Sequence, residues 1–183
     1  RASLAEKIKE GMDADLFLTS AGVSTGDYDV VKDVLADLGE INFWTVRMKP
    51  GKPLAFGTLR RKGKKVPHLG LPGNPVSSMI TFEQFARPAI LKMLGNKNLA
   101  KPTIMAISQS EVTNKDQRMV FARAVVSQRD GRYFAEITGP QGSGILTSMA
   151  RANGLMVIPE DIALLQKGDM VRVQMLDWNE HHD

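Results

Sequence analysis

Apolar residues in the first half of the chain recur alternately at helical and at extended spacing. The opening residues, Arg1-Ala2-Ser3-Leu4-Ala5-Glu6-Lys7, read as an amphipathic helix already under way. Residues 14–19 form a short strand-like run, followed by a loop that contains Gly22 and Gly26. Val30, Val31, Val34, Leu35 and Leu38 then return every three or four residues, which predicts a helix. Asp27 or Asp29 suits its N-cap, and Gly39 suits a left-handed end. Extended segments are expected at 41–48, 54–59 and 66–69, and a second long helix over 75–94. Val76, Met79, Ile80, Phe82, Phe85, Ile90, Met93 and Leu94 supply its apolar stripe, with Pro75 near the start and Gly95 beyond the end. Pro88 removes one backbone donor and should bend or divide this helix.

The polar stretch from Gly95 to Pro102 reads as a linker, after which the helical period fades. Short β-type runs at 104–107, 120–126, 133–137, 155–158 and 171–175 are separated by Gly, Asp, Asn and Pro, as in a small barrel or sandwich. The expected organisation is therefore an α/β domain over residues 1–98 and an all-β domain over 103–178.

Composition narrows the partners. Hydrophobic residues make up 43% of the 183 and charged residues 24%, and no apolar run approaches the length of a membrane span, so no bilayer crossing is expected. With no cysteine, disulfides and thiolate metal sites are excluded, and a cytoplasmic location is the default. The net charge of +4 favours anionic ligands. Nucleic acid is not expected, because aromatic residues are only 6% of the chain and Tyr28, Trp44, Tyr133 and Trp178 are scattered rather than interleaved with basic ones. The basic run Arg60-Arg61-Lys62-Gly63-Lys64-Lys65 reads as a solvated hairpin turn, His68 as structural, and the terminal pair His181 and His182 as part of a tail.

Three loops carry the candidate chemistry. In the first, from Thr19 to Asp29, Gly22 and Gly26 let backbone N–H groups approach a ligand, and Ser20, Ser24 and Thr25 add hydroxyls before a helix start, a recipe for holding phosphate. The same composition suits a plain tight turn, and Asp27 and Asp29 suit helix caps. If phosphate binds there, Asp29 becomes a candidate Mg²⁺ ligand, since that ion bridges carboxylates and phosphates. In the second loop, Arg47-Met48-Lys49-Pro50-Gly51-Lys52-Pro53, two prolines and a glycine present Lys49 and Lys52 from a stiff turn suited to a multivalent anion or to solvent. In the third, Gly70-Leu71-Pro72-Gly73-Asn74-Pro75-Val76-Ser77, free N–H groups and the Ser77 hydroxyl stand at a helix start. Ligands of open α/β sheets bind beyond the carboxyl ends of the strands, which favours a shared role for these loops.

Taken together in order and spacing, Ser20-Ala21-Gly22-Val23-Ser24-Thr25-Gly26 with Asp29, Met48-Lys49-Pro50-Gly51-Lys52-Pro53, and Gly70 through Ser77 resemble the molybdenum cofactor biosynthesis proteins that share a molybdopterin-binding domain. That family carries a second glycine before the valine where this chain has Ala21. The Lys-Pro-Gly-Lys-Pro segment, the trailing β-domain, Gln141-Gly142-Ser143-Gly144 and Ala152-Asn153-Gly154-Leu155 are similar to the molybdopterin molybdenumtransferase branch. The resemblance spans nearly the whole chain. It implies a three-layer α/β molybdopterin-binding domain followed by a small β-barrel-like domain.

The resemblance also implies roles. Ser20, Gly22, Ser24, Gly26, Gly73, Asn74, Pro75 and Ser77 would hold the pterin substrate; Asp29 would place Mg²⁺; Lys49 and Lys52 would neutralise oxyanion charge; Arg123 and Ser143 match positions linked to oxyanion binding. A family lysine four residues before Lys49 corresponds to Thr45, so its contact is lost or passes to Arg47. The implied reaction inserts molybdate into adenylylated molybdopterin, releasing AMP, in a homodimer. A family acidic residue and two N-terminal domains would lie upstream of Arg1, so the chain is expected to be a fragment incomplete for activity. The alternatives are a molybdopterin adenylyltransferase and a non-catalytic scaffold of the same fold.

Overall fold

The computed structural model describes residues 2–23, 30–61 and 63–178. Two compact units emerge: the first comprises Arg1–Val46 and Gly51–Ile90, the second Arg47–Pro50 and Leu91–Asp183. The early strands are β1 (Phe17–Ser20), β2 (Gly39–Thr45), β3 (Met48–Lys49), β4 (Pro53–Arg61) and β5 (Lys64–Leu71). In the first unit four of them form one sheet in the order β1-β5-β4-β2, with β1 and β5 parallel and the other pairs antiparallel.

Helices cover both faces of that sheet. On one side Ile8 and Met12, from α1 (Ala2–Glu10) and the turn after it, join Val34 and Leu35 of α2 (Val30–Leu38) against Leu59 and Val66. On the other, Phe82, Phe85 and Ala86 pack on Leu54, Leu69 and Leu71. The three-layer expectation for this domain holds. Leu35 and Leu59 are fully buried, each contributing roughly 1.5–3 kcal/mol through apolar burial.

Two sequence expectations change in detail. Gly39 does not end α2 in a left-handed turn; it opens β2 opposite Leu59, where a Cβ would collide with the Thr58 carbonyl oxygen. Close strand approach is what that position demands. The long second helix runs as α3 (Pro75–Thr81), a π-helical turn over Phe82–Ala86, and α4 (Arg87–Met93). Pro88 lies just past the wide turn. Its ring cannot tolerate the carbonyl four residues earlier, and widening the preceding turn moves that carbonyl aside without ending the helix. The basic run does form a hairpin, with Arg61 paired to Lys64.

The second unit is a closed barrel. Its strands are β6 (Thr103–Ser108), β8 (Met119–Arg129), β9 (Arg132–Ile137), β10 (Gly154–Ile158) and β12 (Met170–Met175). The order β10-β12-β6-β9-β8 returns to β10 through a β10–β8 pairing, so five strands close on themselves. Closure removes the open sheet edges that otherwise invite association. Ala106, Ala122, Met156, Val171, Val173 and Met175 belong to its core. Three small elements escaped the periodicity argument: the two-residue strands β7 (Val112–Thr113) and β11 (Leu164–Leu165), which pair with each other, and α5 (Leu146–Arg151). Among the described residues no helix is long and apolar enough to cross a membrane.

Candidate functional site

Two of the three motif loops meet at one rim of the first unit's sheet. Because β1 and β5 run parallel, with Ser20 opposite Leu71, the loops that follow them leave from the same end. Ala21 donates its N–H to the Leu71 carbonyl at 3.0 Å, and the Ser20 hydroxyl donates to the Pro72 carbonyl at 3.3 Å. A Cβ on Gly73 would sit 3.0 Å from that of Ala21. Gly73, Asn74 and Pro75 are exposed, whereas Ser77 is buried. Asn74 has extended backbone and its side chain makes no capping bond, so its amide is not spent on the helix start that Pro75 opens. Ala21 and Gly22 both have positive φ, 77° and 80°. Alanine is strained there, and Ala21→Gly is expected to raise the unfolding free energy by roughly 1 kcal/mol, measured by urea denaturation.

Behind this rim lies His68, fully buried, with Nε2 3.0 Å from the Thr19 hydroxyl and Nδ1 without a hydrogen-bond partner. Burial pushes its pKa down from 6.5 to about 4, so it is neutral at physiological pH and structural, as its strand position suggests. Ser24, Gly26 and Asp29, together with the cap candidate Asp27 and the terminal histidines, lie outside the described residues.

The second motif is split between the units. Gly51 and Lys52 belong to the first, where Lys52 is exposed and its carbonyl accepts the Val46 N–H at 2.7 Å; Arg47 to Pro50 belong to the second. There β3 pairs parallel with the start of β8, and the Met119 N–H donates to the Arg47 carbonyl at 3.0 Å. Exposed Lys49 donates from Nζ to Asp116 Oδ2 at 2.8 Å, and Arg118 donates to the same oxygen at 2.7 Å while also reaching the Met48 carbonyl at 3.3 Å. Hydrogen bonds from Lys49 and Arg118 hold the Asp116 carboxyl down near pKa 2. Arg47 bonds the Gln117 carbonyl at 3.2 Å and lies 3.3 Å from a Glu160 carboxylate oxygen. Sequence reasoning passed over Asp116 and Arg118 because they lie nearly 70 residues from Lys49 in an unremarkable polar turn; only the parallel β3–β8 pairing brings them together.

Arg123 stands in β8, 1% exposed. Its guanidinium donates to the Ser148 hydroxyl (3.0 Å), the Gln141 carbonyl (3.1 Å) and the Gly142 carbonyl (2.9 Å), while its backbone N–H donates to Gln141 Oε1 at 2.8 Å. The Gln141–Gly142 loop, which continues into half-buried Ser143, is thus wrapped on a buried cation. Burial lowers the Arg123 pKa, yet arginine keeps its charge. In this structure Arg123 shapes the loop that carries Ser143. Elsewhere on the barrel, a groove of about 680 Å³ between Met105, Ile162, Leu164 and Met170 takes in none of the motif residues.

Comparison with known proteins places these loops in a family. Residues 1–92 match the model of a probable molybdopterin binding domain, and residues 105–176 match the MoeA C-terminal region, domain IV. A molybdopterin molybdenumtransferase of Haemophilus influenzae is 36% identical over 163 residues, covering 88% of this chain and 39% of that protein. One of Nostoc is 35% identical, covering 95% and 41%, and the gephyrin of Dictyostelium discoideum is 33% identical, covering 89% and 26%. The chain therefore spans about two fifths of the molybdenumtransferases it matches. A crystal structure of a molybdopterin biosynthesis MoeA protein from Pyrococcus horikoshii superposes with a TM-score of 0.73 at 30% identity, covering 96% of this chain and 41% of that one. With the paired loops at the sheet rim and a closed five-stranded barrel behind the second family match, the chain belongs to the molybdenum cofactor biosynthesis family, as a molybdopterin-binding domain followed by a MoeA-type C-terminal domain.

Proposed function

We propose that this chain is the pterin-binding and C-terminal portion of a molybdopterin molybdenumtransferase, which inserts molybdate into adenylylated molybdopterin and releases AMP. The observation that carries the reading is the shared rim of β1 and β5, where exposed Gly73 stands against Ala21 and exposed Asn74 follows it. Backbone N–H groups at such a rim suit phosphate oxygens. Lys49 and Lys52 would offset oxyanion charge as the pyrophosphate linkage is cleaved. The MoeA-type barrel favours this branch over an adenylyltransferase. The intact enzyme would work as a cytoplasmic homodimer.

Magnesium is the implied cofactor. Among the described residues no group of three or more His, Cys, Asp and Glu side chains is placed to hold a metal. Mg²⁺ asks for less, taking one or two carboxylates with substrate phosphates and water, so Asp29 together with the substrate is a chemically sufficient donor set. When bound, the ion would act as a Lewis acid toward the phosphate oxygens. The test is AMP release by the intact protein given adenylylated molybdopterin and molybdate. Release should require Mg²⁺ and be abolished by Asp29→Ala. Undiminished release by that variant would remove the metal role. Consumption of ATP would point to the adenylyltransferase reading, and competition between a peptide partner and the pterin to a scaffold.

A further inference from the structure

We propose that Asp116 is a built-in competitor for the anion held by Lys49, and that it sets how strongly this site takes an oxyanion. The inference rests on the proposed role of Lys49 in oxyanion binding. Asp116 Oδ2 accepts from both Lys49 (2.8 Å) and Arg118 (2.7 Å), so a single carboxylate oxygen occupies the place where two cationic donors converge. Arranged this way, two donors aimed at one point form an anion seat, and the carboxylate is its internal occupant.

The surrounding turn is constructed to keep it there. Asn114 is 2% exposed, and its amide donates to the Arg118 carbonyl at 2.9 Å and the Pro159 carbonyl at 3.1 Å, while its N–H donates to the Ala163 carbonyl at 2.8 Å. Gln117, next to Asp116, takes the left-handed φ of 49° that lets the chain double back. Just before β8, Arg118 also anchors to the Met48 carbonyl of β3, beside Lys49. Lys49 and Asp116 remain 48% and 38% exposed, so an incoming anion can reach both.

Two consequences follow from charge. The internal pair tethers the lysine ammonium, so less rotamer freedom remains to be lost when a ligand arrives. It also opposes binding, because an incoming anion must displace the carboxylate or share the donors with it. A tetrahedral dianion offers more charge than the carboxylate it replaces, whereas a monoanion offers no gain. Asp116 is thus a specificity-determining residue in favour of doubly charged oxyanions.

The test is calorimetric titration of the full-length protein with molybdate at fixed pH and ionic strength. Exposed ion pairs are weak, so Asp116→Asn is expected to bind molybdate about two- to fivefold tighter than the wild type. Asp116→Glu, which keeps a competing carboxylate, should stay near the wild-type affinity, an outcome that a purely structural role for Asp116 does not produce. Lys49→Met should abolish binding in the wild-type and Asp116→Asn backgrounds alike. Unchanged or weaker binding by Asp116→Asn, with Lys49→Met still abolishing it, would overturn the competitor role and leave the Lys49 assignment standing. Undiminished binding by Lys49→Met would instead remove that assignment, and the competitor role with it.

Discussion

Gly22→Ala is expected to lower the free energy of unfolding by roughly 3 kcal/mol, combining left-handed backbone strain with overpacking. The backbone cost arises from a φ of 80°, where a Cβ crowds its own carbonyl. The packing cost arises from α2. A Cβ at Gly22 would overlap Cβ and one methyl of Val31, in the first turn of that helix, and press on the other methyl. Val31 packs with the cluster of Val34, Leu35 and Leu59, so the loop and the helix cannot part without opening this core. Urea unfolding of Gly22→Ala beside Ala21→Gly gives a sharp contrast: neighbouring residues, similar φ, opposite signs. A loss for Gly22→Ala below about 1 kcal/mol would mean that α2 does not press on this loop as described.

Acidification is expected to weaken the first unit through His68. Its folded pKa of about 4 lies below the unfolded value of 6.5, so between those two values the unfolded chain binds more protons. Stability is therefore full above pH 6.5 and falls as the pH drops toward 4. The total loss is up to roughly 3 kcal/mol, with about 2 kcal/mol of it gone by pH 5. Burial is the cause: the ring packs 6.2 Å from that of Phe17 and has a single hydrogen-bonding neighbour, the Thr19 hydroxyl. His68→Gln keeps a polar group beside Thr19 but does not titrate. Urea midpoints for both proteins at pH 7.5 and pH 5 should diverge, with the wild type losing more. Equal losses would show that His68 is not the titrating group.

Local patterning made much of the fold legible. The stripe of Val31, Val34, Leu35 and Leu38 and the alternation around Leu54 to Leu59 specify which faces meet, and the strands of the barrel stood out between their turns. Closure of the barrel did not, since the pairing of Gly154 with Ala124 joins residues thirty positions apart that no local period connects. Gly39 misled because helix ends and tight strand contacts both select glycine, and only the facing Thr58 carbonyl distinguishes them. In the candidate site, the parallel β1–β5 rim was foreseeable from two strand–loop–helix patterns. Arg123 shows the limit: its residue type suited an anion, but the carbonyls of Gln141 and Gly142 that surround it could not be read from a sequence.

The four residues from Arg47 to Pro50 leave one unit to complete the other. No single cut between residues 90 and 91 yields two whole pieces. A barrel expressed from Leu91 onward would lack its β3 strand and leave the backbone of Met119 and Val120 bare on that side, a ready place for a foreign strand to pair. The excised α/β piece would keep Arg47 to Pro50 as an unsupported loop, with Lys49 severed from Asp116 and Arg118.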